Sequence, residues 1–166
     1  RSALEHHPHD VRVYVDGIAA SAASVIALGG NEVVMMPGSQ MMIHDASAPD
    51  NGNPEDHRNM ATFLDRQSDN IADLYRLKGG GALDDWRARM QDETWLFAQE
   101  AVDLGLADRV WANDVESDIP TDELSTETAD LMTRSFDLSH YRYAGRQHAP
   151  APGVPRQHRQ LVPAGL

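Results

Sequence analysis

Ser21 and His44 are the side chains best placed for acyl transfer, which needs a nucleophile, a base, an orienting acid and donors for the oxyanion. Ser21 follows the strand predicted by the alternation of Val11, Val13 and Val15, and it stands in the first turn of the next helix. Free N–H groups and the helix dipole favour negative charge at such a position. His44 ends a short apolar run and opens a loop, so its ring can face a cleft.

The acid of such a site is expected from a distant part of the chain. Asp45 directly follows His44 and would point to the opposite side if the strand continued. Asp92 and Glu93 lie between a predicted helix and an extended segment, and either could orient the base. From the residues alone, close packing at Ser21 and a satisfied surface histidine at position 44 explain the pattern at least as well.

The composition excludes several other kinds of site. The 166 residues, of which 41% are hydrophobic, suit one domain of ordinary size. The formal net charge of -12 argues against a general nucleic-acid binder. The sequence has no cysteine, which excludes thiol nucleophiles and zinc–thiolate sites and fits a cytoplasmic protein. It also has no apolar run of the roughly 18 to 20 residues that span a membrane. We therefore expect no nucleic acid, membrane, metal or cofactor; His6, His7 and His9 are interpreted as solvated loop residues.

An α/β arrangement must position the candidate residues. Apolar patterning predicts strands at 11–15, 32–36, 41–44, 93–97 and 106–111, and helices at 18–29, 54–78, 83–90 and 98–104. The initial order strand, helix, strand, strand implies a right-handed crossover. The long helix has one apolar stripe, formed by Met60, Phe63, Leu64, Ile71, Leu74 and Tyr75.

The composition changes after residue 112, where the folded unit is expected to end. Residues 113–137 contain eight acids and one base, which predicts an acidic linker with room for a helix at 121–135. Residues 138–166 contain four arginines, four prolines and no acid. Because this stretch has little apolar content, we predict a flexible basic tail that is solvated or contacts acidic protein surfaces.

Three motifs in register resemble those of the Clp-type serine peptidases. They are the Gly-x-Ala-Ala-Ser pattern at 17–21, the Met-Ile-His pattern at 42–44 and the Glu-Ala-x-x-x-Gly-Leu-x-Asp pattern at 100–108. The likeness extends over residues 1–111. Ala-Ser-Ala-Ala-Ser at 20–24 and Glu-Thr-Trp at 93–95 make it closest to the Clp-related head maturation proteases of phages and prophages.

The resemblance implies roles for individual residues. Ser21 matches the nucleophile, His44 the general base, and the backbone N–H of Ala22 one oxyanion donor. The family's second donor comes from an upstream Pro-Gly-Gly loop that this sequence lacks. Loss of one such donor costs about 10² to 10³ in rate, so we expect an N-terminal portion before Arg1 to be missing.

The resemblance also selects between the two candidate acids. The family's aspartate stands seven residues before the position of Glu100, and this count reaches Glu93. Asp92 is one residue away and stays as the alternative acid. Ser24 lies one turn beyond the nucleophile position, and its expected role is close helix packing.

The implied fold is an α/β core of the Clp/crotonase type, built from repeated ββα units with a protruding handle helix. The implied function is a serine endopeptidase that matures phage capsid or scaffold proteins as a ring-shaped homo-oligomer, in the bacterial cytoplasm or the prohead. No metal, nucleotide or ATP-driven unfoldase is expected for the phage type. The helix at 54–78 matches the handle, whose stripe faces either a partner subunit or its own domain.

Two alternative functions are compatible with the sequence. The chain could be an inactive relative or a fragment that acts in capsid assembly or as a scaffold component. It could also be a crotonase-type acyl-CoA enzyme, which shares the fold but gives no reason for pairing Ser21 with His44.

Overall fold

Two three-stranded sheets contain the strands of this protein. The computed structural model describes residues 1–112 and 136–153. The first sheet is parallel and has the order β1 (Arg12–Val15), β3 (Glu32–Met35), β6 (Arg109–Val110). The second has the order β2 (Ile18–Ala20), β4 (Gln40–Ile43), β5 (Thr94–Phe97), with β2 parallel and β5 antiparallel to β4. Together with the helices, these sheets confirm the predicted α/β class.

Five helices and one 3-10 turn complete the described structure. They are α1 (Ser2–Glu5), α2 (Ala22–Ala27), α3 (Pro54–Gly79), α4 (Leu83–Gln91), α5 (Ala98–Asp103) and the turn Arg146–His148. The two long helices end within one residue of the predicted limits. No helix in the described part of the chain combines the length and apolarity that crossing a bilayer requires.

The prediction of a helix over 18–29 was wrong at its beginning. Residues Ile18–Ala20 are strand β2, which pairs in register with Gln40–Met42, and the helix starts only at Ala22. Gly17 extends this pairing by one residue, because its carbonyl oxygen accepts a hydrogen bond from the N–H of Gln40 at 2.8 Å. Small residues suit both a packed helix and a buried strand, so the pattern does not distinguish them.

The last strand is shorter than predicted. Only Arg109–Val110 pairs with β3, whereas the prediction ran from 106 to 111. The N–H groups of Leu106 and Ala107 donate instead to the carbonyl oxygen of Ala101, at 2.9 and 3.2 Å. These bonds form the turn that follows α5, so the two residues are buried without joining the sheet.

Helix α3 begins at Pro54, as predicted, and the side chain of Asn53 caps its first turn. Its C-terminal half packs on its own domain, because Ser68, Ala72 and Tyr75 are buried. Its N-terminal half is largely exposed, and Phe63 keeps 53% of its surface accessible. The apolar stripe therefore serves the domain core over only part of its length.

The site rests on a fully buried strand. Met41, Met42 and Ile43 of β4 have no accessible surface, and neither has Gln40. This strand lies in the middle of the second sheet, between β2 and β5, and His44 follows directly from it.

Residues 136–153, called the C-terminal segment below, pack on the domain instead of forming the expected flexible tail. The guanidinium of Arg146 donates to both carboxylate oxygens of Glu100 at 2.6 Å, and its backbone N–H donates to Gln40 at 2.9 Å. Polar and charged contacts fix the segment, which explains why apolar content failed to predict it. Residues 113–135 and 154–166, including the helix predicted at 121–135, lie outside the described residues.

Candidate active site

Ser21 occupies a sharp turn between strand β2 and helix α2. Its backbone has φ 56° and ψ -123°, a conformation that L-residues rarely adopt and that costs about 1–3 kcal/mol. The Ser21 N–H donates to the carbonyl oxygen of Met42 at 3.0 Å, which ties the turn to β4. A nucleophile exposed on a strained strand-to-helix turn is a recurring design in serine hydrolases. Ser21 is the residue before α2, not a member of its first turn.

His44 lies directly beside Ser21. The pairing of β2 with β4 brings the ends of the two strands together, and the Nε2 atom of His44 is 2.7 Å from the Oγ atom of Ser21. Burial lowers the pKa of His44, while the negative charges of Glu93 and Asp45 act in the opposite direction. The imidazole is therefore neutral near pH 7, as a base that accepts a proton must be.

Asp45 faces a different partner from His44. Its carboxylate accepts a hydrogen bond from Arg87, whose Nε atom is also 2.9 Å from Asp69 on helix α3. Burial raises the pKa of Asp45, and Arg87 opposes this rise. The ion pairs fasten the loop after His44 to helices α3 and α4.

Glu93 is buried beside the site, with 8% of its surface accessible. Its carboxylate accepts hydrogen bonds from the backbone N–H groups of Arg142 at 2.7 Å and Tyr143 at 2.9 Å, and from Trp95 Nε1 at 3.1 Å. Within the described residues, no hydrogen bond joins Glu93 to His44. Glu93 acts on the histidine through its charge.

Asp92, the alternative acid, is placed differently. It caps the C-terminal end of helix α4, and its N–H donates to the carbonyl oxygen of Ala88 at 3.0 Å. The carboxylates whose charges act on His44 are those of Glu93 and Asp45. The geometry therefore favours Glu93 over Asp92.

Backbone strain marks two of the candidate residues. In the described residues, Ser21 and Glu93 are the only non-glycine positions with a positive φ, 56° and 54° respectively. Such conformations persist where the surrounding structure enforces them, and they concentrate at functional sites. This coincidence is independent of the motifs that selected the two residues.

Ser24 has a more specific role than the packing expected of it. Its hydroxyl donates to the carbonyl oxygen of Ser21 at 2.6 Å, and its Oγ atom lies 2.7 Å from the hydroxyl of Tyr75. A serine hydroxyl has one proton, so Tyr75 must be the donor in the second bond. Burial raises the pKa of Tyr75 to about 12, which keeps this proton in place.

Ala22 and the three N-terminal histidines are the remaining candidate groups. Ala22 is the first residue of α2, where a backbone N–H has no acceptor within the helix. His6, His7 and His9 are exposed. Across residues 1–112 and 136–153, no three or more His, Asp or Glu side chains are grouped to hold a metal ion.

Sequence reasoning missed the contribution of the C-terminal segment. The ring of Tyr141 lies edge-on to His44 at 5.6 Å between ring centroids, next to the N–H groups that bind Glu93. One signal was available, since Arg146 is a cation in an acid-free stretch that follows a strongly acidic domain. It did not identify Glu100 as the partner.

Comparison with known proteins identifies a family. A family model described as Clp protease matches residues 2–114. The "ATP-dependent Clp protease proteolytic subunit" of Mesostigma viride is 28% identical over 130 residues, covering 77% of this chain and 55% of that protein. The subunit of the same description from Streptococcus pneumoniae (strain Hungary19A-6) is 28% identical over 108 residues, covering 63% of this chain and 55% of that protein. The chain thus spans about half the length of the curated relatives it matches.

Proposed function

Because the chain belongs to the Clp protease family, we propose that it is a serine endopeptidase whose nucleophile is Ser21. The observation on which this rests is the 2.7 Å contact between Ser21 Oγ and His44 Nε2 at a strained turn. This arrangement favours an active enzyme over an inactive relative or an assembly component. It also disfavours a crotonase-type acyl-CoA enzyme, which has no use for the pair.

In the proposed reaction, Ser21 Oγ attacks the peptide carbonyl carbon while His44 Nε2 takes the hydroxyl proton. The N–H of Ala22 donates to the oxygen that becomes negative. His44 then gives its proton to the leaving amine, and the C–N bond breaks to form an acyl-enzyme. His44 then takes a proton from a water, whose oxygen attacks the acyl carbon, and it returns that proton to Ser21 Oγ as the ester bond breaks.

Glu93 is the acid of this proposal. Its fixed negative charge stabilises the imidazolium that forms when His44 takes the proton. Three N–H groups of the described residues donate to this carboxylate and hold it in position. Asp92 has no comparable position and is assigned no part in the reaction.

We further propose that the substrates are proteins and that the chain forms a ring-shaped homo-oligomer. The exposed N-terminal half of α3, with Phe63 at 53% accessibility, supports a contact between subunits. The finer role, maturation of phage capsid or scaffold proteins, rests on the likeness at 20–24 and 93–95. Cleavage of a phage capsid protein on co-expression, lost with Ser21→Ala, would support it.

A fluorophosphonate probe, which reacts covalently with activated serines, tests the nucleophile. The wild-type chain should be labelled, and Ser21→Ala should abolish labelling. Ser2→Ala, which changes an exposed serine in α1, is the matched control and should label like the wild type. Equal labelling of the Ser21→Ala protein would refute the assignment.

A further inference from the structure

We propose that the C-terminal segment is a positioning element of the active site, which fixes Glu93 through two backbone N–H groups and His44 through the ring of Tyr141. This inference rests on the proposed serine peptidase function. The residues concerned lie far along the chain from the motifs that define the candidate site.

The C-terminal segment donates hydrogen bonds to Glu93. Of the three hydrogen bonds that its carboxylate accepts from described residues, two come from consecutive backbone N–H groups, at Arg142 and Tyr143. The third comes from Trp95, two residues away on β5. The positive φ of Glu93 is unfavourable and persists only where surrounding contacts enforce it, and these hydrogen bonds are such contacts.

The C-terminal segment also contacts His44, the proposed base, through the ring of Tyr141. The ring of Tyr141 lies at 84° to the imidazole of His44 and at 80° to the indole of Trp95, with centroids 5.6 and 6.0 Å away. The edge-to-face packing of Tyr141 on His44 limits the rotation of the imidazole. Within the described residues, the hydrogen bond of the His44 ring is the one to Ser21. Its orientation therefore depends on packing more than in a triad where the acid binds the second ring nitrogen.

Arg146 attaches the C-terminal segment to the rest of the domain. Arg146 binds Glu100 through two nitrogens, and its guanidinium lies over the ring of Phe97 at 5.3 Å. Its side chain is only 13% accessible, so this bidentate pair is shielded from water. The backbone N–H of Arg146 binds the buried side chain of Gln40 on β4. The segment is thus fixed to β4, which ends just before His44, and to β5, which begins just after Glu93.

The test uses fluorophosphonate labelling of the full chain, with rates measured between about pH 5 and pH 9. Arg146→Ala should lower the labelling rate roughly 10- to 100-fold, because small displacements of catalytic groups have effects of this size. Arg146→Lys keeps the charge and one hydrogen bond, so it should recover part of the rate. Arg12→Ala removes an exposed arginine paired with Glu32 in the other sheet and should label like the wild type.

The pH profile separates positioning from general damage to the fold. The described charges that act on His44 are Glu93 and Asp45, and both raise its pKa. Release of the segment changes both the burial of His44 beneath the Tyr141 ring and the position of the Glu93 charge, so the acidic limb of the profile should move away from its wild-type position. A variant that is only partly unfolded would lose amplitude without moving this limb.

A second variant covers the case in which Arg146→Ala leaves the segment in place. Tyr141→Ala/Arg146→Ala removes the ring and the ion pair together, and hydrogen exchange of the amides at 142 and 143 reports release. Wild-type labelling by this double variant would overturn the inference. Faster labelling would also overturn it, since the segment would then be inhibitory. If the wild type itself is not labelled, the proposed function fails first, which distinguishes the two failures.

Discussion

The hydroxyl of Ser24 donates a hydrogen bond to the carbonyl oxygen of Ser21 at 2.6 Å. Tyr75 of helix α3 donates in turn to Ser24, so a chain of two hydrogen bonds links the long helix to the candidate nucleophile. The backbone N–H of Ser24 also donates to the Ser21 carbonyl, at 3.1 Å. These bonds act on the backbone of Ser21 and stabilise its positive φ. They leave the Ser21 side chain available for the hydrogen bond with His44.

Tyr75→Phe removes one hydroxyl and leaves the ring packing intact. We expect a loss of about 1 kcal/mol in the free energy of unfolding, since one buried hydrogen bond is lost. Fluorophosphonate labelling should fall several-fold, because the support of the Ser21 turn is weakened. Tyr14→Phe, at an exposed position of β1, is the matched control and should change neither quantity. If Tyr75→Phe is labelled at the wild-type rate, the Tyr75 hydroxyl does not support the Ser21 turn.

Ser24→Ala should slow labelling without abolishing it, in contrast to Ser21→Ala. It also leaves the buried Tyr75 hydroxyl without an acceptor, which costs about 1–3 kcal/mol in the free energy of unfolding. Combined with Tyr75→Phe, the two changes should cost less than their sum, because both remove the same bond. Strict additivity in denaturant unfolding would contradict the hydrogen-bond chain.

The rate of labelling should rise with pH through the pKa of His44. Burial lowers this pKa below its ordinary value, so the half-maximal rate should fall below about pH 6.5. Glu93→Gln removes a negative charge that raises the pKa, and it should therefore move the midpoint to still lower pH. Asp92→Asn serves as the comparison, with an unchanged midpoint. A shift with Asp92→Asn alone would reverse the choice of acid.

Arg87→Ala leaves Asp45 without its principal cation. We expect a loss of about 1–3 kcal/mol in the free energy of unfolding at neutral pH, where Asp45 is ionised. Arg87 lowers the pKa of Asp45, so its removal lets that pKa rise further. The loss should then diminish as the pH falls and Asp45 becomes neutral. Arg58→Ala, whose pair with Glu55 is about 70% exposed on both sides, should cost under about 0.5 kcal/mol.

The sequence was sufficient for the features that depend on local pattern. The approximate positions of strands β1 and β4 and the limits of helix α3 follow from apolar periodicity. The pairing of Ser21 with His44 follows from the register of the family's motifs. The short strand Ile18–Ala20 did not follow, because three small residues have no period that separates strand from helix. Its identity depends on pairing with β4, about twenty residues away.

Long-range polar contacts were the second limit. Arg146 and Glu100 are 46 residues apart, and nothing local predicts that they form an ion pair. The same holds for Tyr75 and Ser24, which are 51 residues apart. Both contacts act on candidate catalytic residues from elements that sequence patterns assigned to packing or to solvent.

The parallel pairing of β2 with β4 has a consequence for how the site would fail on heating. Ser21 and His44 follow directly from adjacent strands, so the separation of their backbones is set by the spacing of the sheet and persists until the sheet itself unfolds. Glu93 and the ring of His44 depend in addition on the C-terminal segment, which is fixed by polar contacts. The protein should therefore lose activity in two stages, with an early stage that releases Glu93 and the His44 ring and a late stage that coincides with cooperative unfolding.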